Sequence, residues 1–131
     1  MGKSALYRAG PLAPTSEDAL HLSVVRFLNL ALTSETVWFH VPNGIRTGMK
    51  QAAKHKKMGM KAGVSDLIFC HDGRHLEIEL KMEGKYLRPA QRDWRDGVEQ
   101  AGGKHATCRS LKDVEETLRE WGVPLKVHLR A

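Results

Sequence analysis

The chain has 131 residues, 41% hydrophobic and 27% charged, which is one domain of ordinary globular composition and excludes wholesale disorder. No apolar run approaches the ~20 residues of a membrane span, and residues 1–14 lack the apolar core of a signal peptide. Two cysteines, Cys70 and Cys108, make no disulfide framework, so a reduced, cytoplasmic setting without membrane attachment is expected.

Lys and Arg number 21 against 15 Asp and Glu, a formal net charge of +6. The excess sits in one place. No acid occurs between Glu35 and Asp66, while Arg46, Lys50, Lys54, Lys56, Lys57 and Lys61 do. A localised basic patch points to a polyanionic partner such as nucleic acid, with a solvated face as the alternative.

Residues 1–15, with Gly10, Pro11 and Pro14, read as a flexible arm ahead of a single domain over 16–131. Thr15 or Ser16 can cap a helix running to about Thr33, with Leu20, Val24, Phe27, Leu28 and Ala31 as its buried stripe. Thr36 to Val41 is β-branched and aromatic and predicts a strand, broken by Pro42-Asn43-Gly44. Met49 to Met58 fits a helix with Met49, Ala52 and Ala53 inward. Lys50, Lys54, Lys57 and Lys61 recur at i, i+4, i+7 and i+11, one cationic stripe. Like charges so spaced disfavour an isolated helix, and a row of phosphates would relieve that cost.

Val64 to Cys70 and His75 to Met82 predict two strands joined at Asp72-Gly73, a strong hairpin signal. Pro89 can open a helix with Ala90, Trp94, Val98 and Ala101 inward, ending at Gly102-Gly103. Lys104 to Arg109 reads as a strand. Ser110 with Asp113 resembles a capping box for a helix burying Leu111, Val114, Leu118 and Trp121. Leu125 to Leu129 alternates like a last edge strand. The order α-β-α-β-β-α-β-α-β implies an α/β domain with a mixed sheet flanked by helices.

The hairpin carries the chemistry. With a two-residue loop, His71 opposes Arg74, Phe69 opposes Leu76, Ile68 opposes Glu77 and Leu67 opposes Ile78. The same register sets Asp66 opposite Glu79. Leu76, Ile78, Leu80 and Met82 then face a core, and His75, Glu77, Glu79 and Lys81 face the other way. Opposed residues lie about 5 Å apart. Two carboxylates at that distance repel by roughly 3 kcal/mol at an effective dielectric near 20. A cation between them removes the cost, and oxygen ligands suit Mg²⁺ or Mn²⁺. Lys81, on the same face, would steady an attacking water or a phosphate oxygen. The alternative is a solvated charged face with Lys81 neutralising Glu79. A three-residue loop would break the pairing, and the sequence leaves both loop lengths open.

Asp66, a gap of twelve residues, and Glu79-Leu80-Lys81 resemble the D…(D/E)-x-K core of PD-(D/E)XK nucleases. More narrowly the chain resembles the VRR-NUC domain, in the manner of its small standalone phage members. The supporting segments are Glu17, His40-Val41-Pro42-Asn43-Gly44, Gly59 to Asp66, Glu77 to Lys81, and Leu87-Arg88-Pro89-Ala90-Gln91. The resemblance implies a restriction-endonuclease-like core. It implies Asp66, Glu79 and the Leu80 carbonyl as metal ligands, Lys81 as the catalytic lysine, Gln91 as an active-site support and Glu17 as an additional acid. The sequence departs from the family at Ser65 (for proline), His21 (often glutamine) and Arg88 (often serine).

The expectation is a Mg²⁺- or Mn²⁺-dependent DNA endonuclease. Asn43, Arg46, Lys50, Lys54, Lys57 and Lys61 would lie along the DNA backbone. The resemblance to standalone members implies a homodimer acting on branched DNA such as four-way junctions. Two alternatives stand beside it. One is a non-catalytic nucleic-acid-binding module. The other is a zinc-stabilised protein using Cys70, His71, His75, His105 and Cys108, whose spacings match no strong zinc pattern.

Overall fold

The computed structural model describes residues 5–8, 14–42 and 48–130. The elements in chain order are β1 (Ala5–Tyr7), α1 (Glu17–Ala31), β2 (Thr36–His40), α2 (Met49–Lys57), β3 (Leu67–His71), β4 (Arg74–Leu80), α3 (Pro89–Gln100), β5 (Lys104–Cys108), α4 (Leu111–Glu120) and β6 (Val127–Leu129).

Asp72 and Gly73 take φ values of 52° and 71°, the positive values a two-residue hairpin turn requires. The turn sets the register of β3 on β4: His71 opposes Arg74, Phe69 opposes Leu76, Ile68 opposes Glu77 and Leu67 opposes Ile78. This is the two-residue alternative. Around the hairpin a mixed four-stranded sheet forms in the order β2-β3-β4-β5. Its first two pairings are antiparallel and β4–β5 is parallel.

One face of the sheet meets α1 and α4. Leu67, Phe69, Leu76, Ile78 and Leu80 pack with Leu20, Val24, Phe27 and Leu28 of α1 and Leu111, Val114 and Leu118 of α4. Ser16 starts α1 by accepting the Ala19 N–H, and Glu17 and Asp18 in the first turn complement the helix dipole. Ser110 caps α4 in the same way through the Asp113 N–H. On the opposite face α3 lies over β4, with Trp94 Nε1 donating to Glu77 at 2.8 Å. No described helix is long and apolar enough to cross a membrane.

Four expectations need correction. The 1–15 arm contains strand β1, which pairs in parallel with β6 as a second, two-stranded sheet, and Tyr7 packs edge-on against Phe27. The last strand therefore does not extend the main sheet. The two partners lie more than a hundred residues apart, so no local signal links them. Met49, Ala52 and Ala53 are exposed, and α2 buries none of its residues. Ala90 of α3 and Ala101, which caps its C-terminal end, are exposed, and Trp94 and Val98 are only half-buried. The alternative of a solvated charged face does not hold, since Glu77 and Glu79 of β4 and Lys81 just beyond it are all buried.

Candidate active site

Asp66 sits one residue ahead of β3, held from both sides. Its backbone carbonyl accepts the Val41 N–H at 2.9 Å, and His40 Nδ1 lies 3.0 Å from the same oxygen. Its carboxylate Oδ2 accepts the Leu80 N–H at 2.8 Å. The hairpin register carried one step further brings Asp66 to Glu79. The first residue of α1, Glu17, arrives from a different element. Glu17, Asp66 and Glu79 each place a carboxylate oxygen within 4.8 Å of the other two.

Glu79 is 3% exposed, and its Oε2 is buried without a hydrogen-bond partner. Burial first, and then the neighbouring Asp66, push its carboxyl up to about 9, against the pull of the Lys81 ammonium. The group thus holds a proton at neutral pH where a carboxylate normally would not. Three carboxylates, one orphaned buried oxygen and an all-oxygen donor set fit a hard divalent cation such as Mg²⁺ or Mn²⁺. Lys81, the next inward residue on that strand face, is 4% exposed, and its backbone N–H donates to the Cys108 carbonyl. Ser65, beside Asp66, is fully buried and its hydroxyl is also unpartnered.

The three acids open into a cleft of about 560 Å³, walled by Lys56 and Lys61 on one side and Arg88 and Gln91 on the other. Gly63 closes one end. Its φ is +78°, and a Cβ there would stand 2.2 Å from the Ala90 carbonyl oxygen. Only glycine lets the segment before Asp66 lie against the first turn of α3. Gln91 Oε1 accepts the Arg88 N–H at 2.8 Å, half of a capping box that Arg88 cannot complete from its own side chain. The Gln91 amide NH₂ is the group left for a partner in the cleft.

The basic residues divide. Lys50, Lys54 and Lys57 lie on exposed α2 and do not line the cleft, whereas Lys61 does. Lys61 falls beyond the end of α2, so the four-lysine stripe is not one helical face. Asn43 and Arg46 lie outside the described residues. Sequence reasoning passed over Lys56 as a cleft residue; its only signal was membership of the acid-free cationic run. It also missed a ring pair, His21 against His40 at 4.4 Å between centroids, next to Asp66. Burial, then the neighbouring His40, lower the pKa of His21.

Among the described residues the acidic triad is the one cluster of metal-ligand type, and Cys70, His71, His75, His105 and Cys108 form none. Cys70 is exposed, His71 pairs with Thr36 Oγ1, and burial pushes the Cys108 thiol up to about 11.

No protein-family model matches the sequence, and no curated protein does. The structure is similar to a solved protein described as "VRR_NUC domain protein". The two are 24% identical, with a TM-score of 0.65, over 83% of this chain and 89% of that one. The likeness concerns the fold: a mixed sheet flanked by helices, of the restriction-endonuclease-like kind.

Proposed function

We propose that this protein is a divalent-metal-dependent DNA endonuclease that hydrolyses phosphodiester bonds, with branched DNA as its substrate and the cytoplasm as its place of action. The observation that carries the reading is the meeting of Glu17, Asp66 and Glu79 at the mouth of a cleft, with Lys81 buried beside them. The fold likeness to a VRR_NUC domain protein supports it.

Asp66, Glu79 and Glu17 would hold the cation, with the Leu80 carbonyl as a further oxygen. A bound Mg²⁺ or Mn²⁺ lowers the pKa of a coordinated water and offsets charge growing on the phosphate. The remaining work belongs to the chain. Lys81 brings an ammonium to the same place, where it orients the attacking water or a phosphate oxygen. The Gln91 amide, fixed by its bond to Arg88, offers donors at the cleft wall. Lys56, Lys61 and Arg88 grip backbone phosphates, an arrangement that positions DNA without reading its sequence. The lysines of α2 extend that path, and Asn43 and Arg46, outside the described residues, are further candidates for phosphate contacts. Cutting both strands of a branch needs two such sites, hence a homodimer.

The test is a nicking assay on plasmid, junction, flap and linear DNA, with and without Mg²⁺ or Mn²⁺. Lys81→Ala should lower cleavage by about 10²-fold or more while DNA binding and melting stay near wild type. Metal-independent binding with no cleavage of any substrate would make the protein a binding module instead.

A further inference from the structure

We infer that Tyr86 is a stacking platform for an unpaired nucleobase beside the cleft, so that the protein takes DNA with a single-stranded segment next to the bond to be cut. The inference rests on the nuclease reading above and names what the site recognises. Tyr86 is 80% exposed, more than any other described aromatic residue, with Phe39 next at 55%. It sits between residues of the site: Lys81 precedes it, and Arg88 and Gln91 on the cleft wall follow. The segment takes its packing from the next residue, Leu87, which is buried.

The ring is held in place although it is exposed. A turn ahead of it is closed by the Lys85 N–H on the Met82 carbonyl at 3.1 Å. Arg109, just beyond β5, reaches across to this turn. Its guanidinium donates to the Lys85 carbonyl at 2.5 Å and lies 5.9 Å from the centre of the Tyr86 ring, within cation–π range. Its backbone N–H donates to Asp113 Oδ2 at 2.8 Å, which fixes it from behind. One face of the ring is thus backed by an anchored guanidinium, and the high exposure leaves the other face open. Arg92 folds onto the same segment and donates to the Leu87 carbonyl at 2.7 Å. Lys85, Arg88, Arg92 and Arg109 therefore gather cations along the segment, against the exposed acid Glu83. An aromatic ring set among cations is the arrangement that holds single-stranded nucleic acid.

The ring supplies what the cations lack. Lysines and arginines hold phosphates whether a strand is paired or not. In a continuous duplex each base face is already stacked on its neighbour, so only an unpaired or terminal base can lie on Tyr86. Every base has such a face, so the contact selects structure and not sequence. Two residues separate Tyr86 from Arg88, which sets their Cα atoms at most ~7 Å apart. A strand that leaves the acids past Arg88 meets the ring next, while Lys56 and Lys61 hold the opposite wall. Branched DNA offers free base faces where its arms meet.

Binding is measured without metal, so that no cleavage intervenes, on a flapped duplex and on a covalently closed duplex circle, which has no unpaired or terminal base. Tyr86→Ala should lower affinity for the flapped DNA by about tenfold or more and leave affinity for the circle unchanged. Its salt slope should stay at the wild-type value, because no charge is lost. Tyr86→Phe keeps the ring and should bind as the wild type does. Both variants should melt with the wild type, since the side chain is exposed. A 5-iododeoxyuridine in the flap beside the branch should photocross-link to Tyr86. Wild-type affinity of Tyr86→Ala for the flapped DNA overturns the inference. So does an equal loss on both DNAs, a loss shared by Tyr86→Phe, or a cross-link that falls elsewhere. None of these readouts depends on catalysis: a Tyr86-dependent preference for flapped DNA in a protein that nicks no substrate would sustain the platform and sink the nuclease reading alone.

Discussion

Asp66 Oδ2 accepts the backbone N–H of Leu80 at 2.8 Å. This bond ties the carboxylate to the strand segment whose flanking side chains are Glu79 and Lys81. The aspartate is thereby fixed by a group that survives its conversion to asparagine, because an amide oxygen can accept the same N–H. Asp66→Asn therefore removes charge and little else. Mg²⁺ should raise the melting temperature of the wild type by mass action on the folded state, and should do so less, or not at all, for Asp66→Asn. Without metal the variant should be about as stable as the wild type at neutral pH, because Glu79 is already protonated there and Asp66 faces a neutral carboxyl. Thermal melts with and without millimolar Mg²⁺ check this, and equal shifts in the two proteins would remove Asp66 from the ligand set.

Glu79 sets a pH dependence of the metal-free protein. Its folded-state pKa, about 9, lies above the ordinary value of 4.5. A raised pKa means the folded state binds the proton more tightly. The stability it contributes is complete below pH ~4.5 and is lost as pH rises through about 9. At pH 7 the loss is on the order of 3 kcal/mol relative to acid conditions. Glu79→Gln should flatten this slope and stabilise the metal-free protein at neutral pH. Urea unfolding between pH 5 and 9 reads it directly; a wild-type curve that rises over that range would contradict the burial argument.

Lys56 of α2 and Lys61 just beyond it line the cleft, whereas Lys50 and Lys54 of the same helix do not, and the two pairs should separate in binding. Removing one lysine–phosphate pair lowers the salt slope on duplex DNA by about 0.9. Lys56→Ala with Lys61→Ala should reduce the slope by nearly twice that amount and weaken binding. Lys50→Ala with Lys54→Ala, on exposed α2, should cost less if the DNA path follows the cleft. Binding titrations across salt concentration compare the two double variants, and a larger effect from Lys50→Ala with Lys54→Ala would move the path out of the cleft onto the outer face of α2.

Gly63→Ala should destabilise the fold by more than about 2 kcal/mol. The residue needs a positive φ, and its new Cβ would collide with backbone at Ala90 rather than with a movable side chain. Denaturant unfolding measures the loss. A variant of wild-type stability would mean that the segment before Asp66 can leave α3 without cost.

By itself the sequence located the hairpin at Asp72-Gly73, and the structure chose the two-residue loop over the three-residue one. Asp72-Gly73 admits a two-residue turn, the alternation of Leu76, Ile78 and Leu80 selects the core face, and both act over a few residues. From the two-residue register the approach of Asp66 to Glu79 followed without any knowledge of the rest of the fold. The helix caps at Ser16 and Ser110 were legible for the same reason, since a cap bonds within three residues. What lay beyond reach was the meeting of distant segments. β1 pairs with β6, and Glu17 joins the acids only because α1 packs on the sheet with its first turn at the strand ends. The inward faces expected of α2 and α3 failed because periodicity says which residues share a face and not whether anything covers it. Burial of Glu79 was likewise decided in three dimensions: α3 must lie across β4, held by Trp94 on Glu77 and by Gly63 against Ala90, before the carboxyl loses its water and keeps its proton.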